Sequence, residues 1–97
     1  MILRWDRRAI QDLREIGSYT AAHGSPGAAN RVRQHLRARV NRLRVSPYLG
    51  IVSGHPHIRV LNPIRYPYRI YYTVQGSEVV VLHIRHTSRQ APDDLPS

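Results

Sequence analysis

Three arginines on β-rich runs, Arg59, Arg69 and Arg85, together with Tyr71 and His86, are the residues of this chain whose types and placement suit chemistry. Guanidinium groups grip phosphate oxygens in pairs of hydrogen bonds, and a nearby His or Tyr can pass a proton. Those are the parts needed by a ribonuclease that uses the substrate's own 2′-hydroxyl as nucleophile. It requires a route for the proton, cationic donors at the phosphorane and an acid for the leaving oxygen. The same residue types also cover an exposed sheet face or dock an acidic partner, and spacing by itself does not show that they converge. Other chemistries find less support. His83 and His86 stand three apart on a strand and so point to opposite faces, while His55 and His57 are separated by Pro56 and lack a third ligand, so no metal is expected. There is no glycine-rich phosphate loop and no hydroxyl with a positioned His–acid pair, so no cofactor and no nucleophilic hydrolase is expected.

These residues must be positioned by a hairpin. Two β-rich runs, Tyr68 to Val74 and Glu78 to Arg85, flank Gln75-Gly76-Ser77, where glycine supplies the freedom of a tight reversal. Alternation puts Ile70, Tyr72 and Val74 on one face and Arg69, Tyr71 and Thr73 on the other. In the second run Val80, Leu82 and Ile84 make the more apolar row, opposite Val79, Val81, His83 and Arg85. Pairing the apolar rows predicts a buried front and a back that carries Arg69, Tyr71, His83 and Arg85 outward.

The preceding chain supplies the rest of the layers. Ile2 to Trp5 reads as a strand, and Asp6 as the cap of a helix from Arg7 to His23 that buries Ala9, Leu13 and Ile16 and leaves Asp12 and Glu15 on the wetter side. Gly24-Ser25-Pro26-Gly27 breaks that helix and caps a second one, whose stripe of Ala29, Val32, Leu36, Val40 and Leu43 keeps three-and-four spacing. Ser46 to Gly50 is a stop and a turn, Ile51 to His57 a loop closing over the core, and His57 to Leu61 a strand in which Ile58 and Val60 face away from Arg59 and Leu61. The expected fold is α+β: an N-terminal strand, an αα-hairpin, then a three-stranded antiparallel meander, with the helices on one face of the sheet. One domain spans 1–89, and 90–97, with two Pro, two Asp and no periodicity, reads as a flexible tail.

Charge narrows the partners. All 15 basic residues are Arg, for a net charge of +9, and the nine that lie between Ile16 and Ser77 have no Asp or Glu among them. Six of these crowd the second helix, Arg33 and Arg37 included, with no carboxylate one turn away to offset them. Such a field attracts an anionic partner, either nucleic acid or an acidic protein segment. The absence of cysteine fits a reducing cytoplasm, and no apolar run approaches the roughly 20 residues of a membrane span.

Several of these residues together resemble the RelE/ParE superfamily of bacterial toxins. The resemblance rests on Ala9, Asp12-Leu13, Ile16 and Tyr19 in the first helix, the Pro47-x-Leu49-Gly50 turn, Arg59, Pro67-Tyr68-Arg69-Ile70-x-Tyr72 and the closing Arg85-His86-x-x-Arg89. It implies the toxin of a type II toxin–antitoxin pair, neutralised by the acidic C-terminal segment of a cognate antitoxin and reaching operator DNA only through it. The Arg85-to-Arg89 ending, and the lack of any Tyr after Tyr72, look more like the ParE branch, which binds and poisons DNA gyrase. The RelE branch instead cleaves mRNA on the ribosome, which would call on Arg59, Arg69 and His86. Under either branch, Arg33, Arg37, Arg59, Arg69, Tyr71, Arg85, His86 and Arg89 are the candidate residues for binding target or antitoxin.

Overall fold

The computed structural model describes residues 1–95. The elements run β1 (Ile2–Trp5), α1 (Arg7–His23), α2 (Pro26–Asn41) with a following 3-10 turn (Arg42–Arg44), β2 (Ile51–Val52), β3 (Ile58–Leu61), β4 (Tyr68–Gln75) and β5 (Glu78–His86). The strands form one mixed sheet in the order β1-β5-β4-β3-β2, with β1 parallel to β5 and the other pairs antiparallel. Both helices lie on one face of it, as the α+β reading required.

Local signals set the helix ends. The Asp6 carboxylate accepts from the Arg8 N–H and the Ser25 hydroxyl from the Ala28 N–H, each satisfying a first-turn donor, and Pro26 opens α2 where its missing N–H costs nothing. Every member of the α2 stripe is buried, Leu43 from the 3-10 turn among them. Val32, Leu36, Val40 and Leu43 meet Ala9, Leu13 and Ile16 of α1 and the sheet residues Leu61, Ile70, Tyr72, Val79, Val81 and Ile84. Burying a leucine such as Leu36 from water contributes about 1.5–3 kcal/mol, so this one layer carries most of the stabilisation available to a small domain.

The β4–β5 hairpin turns through Gly76 and Ser77, and Gly76 has φ of +58°, the left-handed value that a two-residue reversal demands at its first position. Beyond the turn the strict alternation expected of β5 fails. Tyr72 pairs with Val81 but Tyr71 pairs with His83, so Leu82 is an extra residue in a β-bulge. The parity of β5 changes there: Val79, Val81 and Ile84 all reach the helix layer, while Val80 and Leu82 join Ile58, Val60, Tyr71 and Leu95 in a second, smaller cluster on the back. The apolar row of Val80, Leu82 and Ile84 is thus divided between faces.

Three further differences come from tertiary contacts. Ile51–Val52 is not a loop over the core but an exposed edge strand against β3. His57 adopts φ of +64°, a left-handed conformation incompatible with a strand, so β3 starts one residue later, at Ile58. Of the stretch read as a flexible tail, Pro92 and Leu95 are buried against the protein, whereas Pro96 and Ser97 lie outside the described residues.

Candidate functional site

The parallel β1–β5 pairing ends at Trp5 and Val81, because the chain leaves the sheet there to begin α1. The outer edge of β5 from Leu82 onward is therefore left to side chains of α1. Asp12 takes up this position. Its Oδ2 accepts from the Ile84 N–H at 3.0 Å and faces His83 Nδ1 at 3.2 Å, and its Oδ1 accepts from Arg8 Nε at 3.2 Å. Asp12 is buried, contrary to its expected place on the wet side of α1, because an unpaired strand donor needs an acceptor. On the other side of the ring, His83 Nε2 lies 2.9 Å from Asp94 Oδ1. A chain of side-chain contacts, Arg8, Asp12, His83 and Asp94, thus runs from the helix layer to the C-terminal segment.

Beside this row opens a groove of about 630 Å³ between α1 and the ends of β4 and β5. Arg8, Glu15 and Tyr19 of α1 form one wall, and Tyr68, Arg85, His86 and Arg89 the other. The His86 ring stands edge-on to Tyr68, with centroids 5.5 Å apart, and Ser88 donates its N–H to His86 Nδ1 at 3.0 Å, which leaves Nε2 as the ring's donor. Arg85 donates to the Gln90 carbonyl at 3.4 Å. Cationic and aromatic groups mix here, so the groove is suited to an anionic, partly apolar segment.

The expected convergence of Arg59, Arg69 and Arg85 does not occur. Arg69 and Arg85 are direct cross-strand partners and share the back of the sheet, but Arg59 pairs with Tyr72, whose ring belongs to the helix-side core. Arg59 is used locally: it donates to the Gly50 carbonyl at 2.7 Å and stacks on the Tyr48 ring at 4.9 Å. Tyr72 secures the same turn, its hydroxyl donating to the Pro47 carbonyl at 2.8 Å and accepting from the Gly50 N–H at 2.9 Å. His86 shares Tyr68's face, two strands away from Arg59 and, by the β4 register, four residues along, a separation of roughly 13 Å in the strand direction alone. The outward back row is also corrected, since Tyr71 and His83 are buried. What remains on the back is Arg69, bonded to the Thr87 carbonyl, and Arg85. The helix-layer candidates stand apart from these: Arg33 lies across Gly17 of α1 and bonds Asn30, and Arg37 is exposed on the next turn.

Two tyrosines give this region a pH signature. Burial raises the Tyr72 hydroxyl above its ordinary 10.0, against the lowering pull of the Gly50 hydrogen bond and of Arg59; burial, and then Tyr19, raise Tyr68. Each folded hydroxyl keeps its proton beyond the pH at which the unfolded chain loses it. Their contribution is intact below the unfolded value and is lost as pH climbs through the folded ones. Urea midpoints are expected to fall between ~pH 9 and ~pH 11, with a smaller fall in Tyr68→Phe; equal falls in both proteins would contradict this.

A mixed five-stranded sheet carrying an αα-hairpin on one face, with a basic groove at the β4–β5 end, is the RelE/ParE-like architecture. A family model described as the ParE toxin of the type II toxin–antitoxin system, parDE, matches residues 3–91, and the chain belongs to that family. Among solved structures it is similar to the chromosomal ParDE toxin–antitoxin system from P. aeruginosa, at 28% identity over 89% of this chain and 95% of that one, with a TM-score of 0.82. The intact RelBE toxin–antitoxin complex from E. coli shares the fold at 23% identity and a TM-score of 0.67, covering 91% of this chain and 98% of its own. The isolated E. coli RelE toxin does so at 22% and 0.66, covering 92% of this chain and 86% of its own. No curated protein matches in sequence. Among the described residues, no helix is long and apolar enough to cross a membrane.

Proposed function

We propose that the chain is a ParE-type toxin that inhibits DNA gyrase by binding it in the cytoplasm and is neutralised by a cognate antitoxin encoded beside it. The family match carries this reading. The geometry favours it over the ribonuclease alternative, because Arg59 is committed to the Gly50 turn while Arg69 lies on the opposite face from Arg59 and His86. A binding inhibitor needs no such convergence. The acidic segment of the antitoxin has complementary cations to meet on the helix layer and in the groove, where rim charges set rate and orientation and buried aromatic anchors set affinity. Operator DNA is reached through the antitoxin.

Expression from an inducible promoter tests the pairing. Colony formation is expected to fall sharply on induction and to recover when the neighbouring reading frame is co-expressed. Growth that is unaffected by either gene would refute the toxin–antitoxin reading. Transcripts cut within minutes of induction, at intact supercoiling, would move the assignment to the ribosome and mRNA.

A further inference from the structure

No Asp or Glu lies in α2, in the turn after it or in the loop from Asn62 to Pro67 that joins β3 to β4. Arg31, His35, Arg39 and Arg42 follow one another at helical spacing and so form one stripe along α2 and its turn. The loop is fastened to this stripe: Arg39 donates to the Asn62 carbonyl at 2.6 Å, and His35 Nε2 donates to the Ile64 carbonyl at 2.8 Å. The Tyr66 N–H reaches the same Ile64 carbonyl at 2.7 Å, closing a three-residue turn about Arg65, whose φ of +69° is strained for any residue but glycine. Arg65 is exposed and stands over the Tyr66 ring, 5.4 Å from its centroid, so packing in the core does not explain the strain. Arg31 lines a shallow pocket together with Tyr66, which brings the two arginines to one rim. Among the described residues, the arginines paired with a carboxylate are Arg4 and Arg8, both far along the chain from this stripe.

We propose that the stripe and the loop form a binding site for the phosphate backbone of duplex DNA, contacted by Arg31, Arg42 and Arg65, with His35 and Arg39 as the positioning residues that hold the loop in place. Arg31 and Arg42 stand about 16 Å apart along the helix, far enough to lie beside several phosphates of a duplex, which carries one per roughly 3.4 Å of axis on each strand. Tyr66 and Tyr68, the rings beside the stripe, pack against the core, so neither is free to stack on the bases of a single strand. Guanidinium contacts to phosphate carry no sequence information, so this site leaves operator recognition to the antitoxin. The inference does not depend on the gyrase reading, because the binding is a property of the chain alone. Where both hold, the toxin is concentrated on the DNA at which its target works.

Anisotropy of a short fluorescein-labelled duplex, titrated with the purified chain between about 50 and 200 mM NaCl, counts the contacts. Log Kd should rise with log salt at a slope of about 3, near 0.9 for each phosphate held. Arg31→Gln, Arg42→Gln and Arg65→Gln together should weaken binding about tenfold or more at the lower salt and bring the slope below about 1. Arg4→Gln, Arg7→Gln and Arg14→Gln remove the same charge from β1 and α1 and should weaken it less than about threefold. His35→Ala keeps all three arginines but unfastens the loop; it should lower the slope by about 1, and adding Arg65→Gln to it should lower the slope no further. In the unsubstituted chain, whose folding is not in question, the duplex should shift the Nε–H resonances of Arg31, Arg42 and Arg65 and leave those of Arg7 and Arg14 in place. Equal weakening by the two triple variants, tighter binding to the single strand of the same sequence, displacement of the duplex by an equal charge of poly-glutamate, or unmoved resonances of the three arginines would each overturn the proposal.

Discussion

Asp12→Ala is expected to destabilise the fold by about 3 kcal/mol, the lower end of what removing one partner from a buried ionic cluster costs. The carboxylate is the acceptor for the Ile84 N–H and faces His83 and Arg8, so its loss orphans a strand donor and strips the buried imidazole of one neighbour. Against a total stability of about 5–15 kcal/mol, that shifts the thermal midpoint down by roughly 12–24 °C in a domain of this size. Asp12→Asn keeps an acceptor for the Ile84 N–H while losing the charge, and should recover about half of the loss. Thermal unfolding followed by circular dichroism measures both. A midpoint for Asp12→Ala within a few degrees of wild type would mean that the β5 edge is satisfied in some other way.

The second large effect belongs to the turn after α2. Tyr72→Phe removes one hydroxyl but leaves the buried Gly50 N–H and the half-buried Pro47 carbonyl without that partner, for about 2–3 kcal/mol. Gly50→Ala attacks the same contact sterically, since a Cβ there would stand 2.8 Å from both the Tyr72 hydroxyl and the Val60 carbonyl. The latter is strand backbone and cannot swing aside, so the cost is about 1–3 kcal/mol. Because the two changes spoil one contact, the double variant should be destabilised by less than their sum. Denaturant midpoints for the four proteins give the coupling, and strict additivity would argue against a shared contact. The result bears on function as well: Arg59 belongs to this turn, so toxicity lost in Arg59→Ala should track lost folded protein.

Much of this architecture was legible because its signals are local. The α2 stripe from Ala29 to Leu43, the caps at Asp6 and Ser25 and the glycine of the hairpin turn each depend on a few neighbouring residues, and each is found where spacing places it. Alternation within β3 is also as read, with Ile58 and Val60 opposed to Arg59 and Leu61. Spacing cannot say which face of β3 lies with which face of β4. That is set by register, and the Arg59–Tyr72 pairing sends Arg59 to the helix side, away from Arg69. The bulge at Leu82 is likewise a tertiary event, and an alternating run of apolar residues fits the strand with or without it. Asp12 looked wet because helical periodicity puts it among polar neighbours; the unpaired β5 edge that buries it lies more than seventy residues further on. The groove-lining residue Arg8 had no distinguishing pattern in the sequence, although Tyr19, Tyr68, Arg85, His86 and Arg89 were marked by the family resemblance.

Purified gyrase provides the most direct measurement of the central claim. With relaxed plasmid, ATP and increasing amounts of this protein, supercoiling should decline to background, and an equimolar amount of the neighbouring gene's product should restore it. Full supercoiling at a large excess of correctly folded protein would contradict the account.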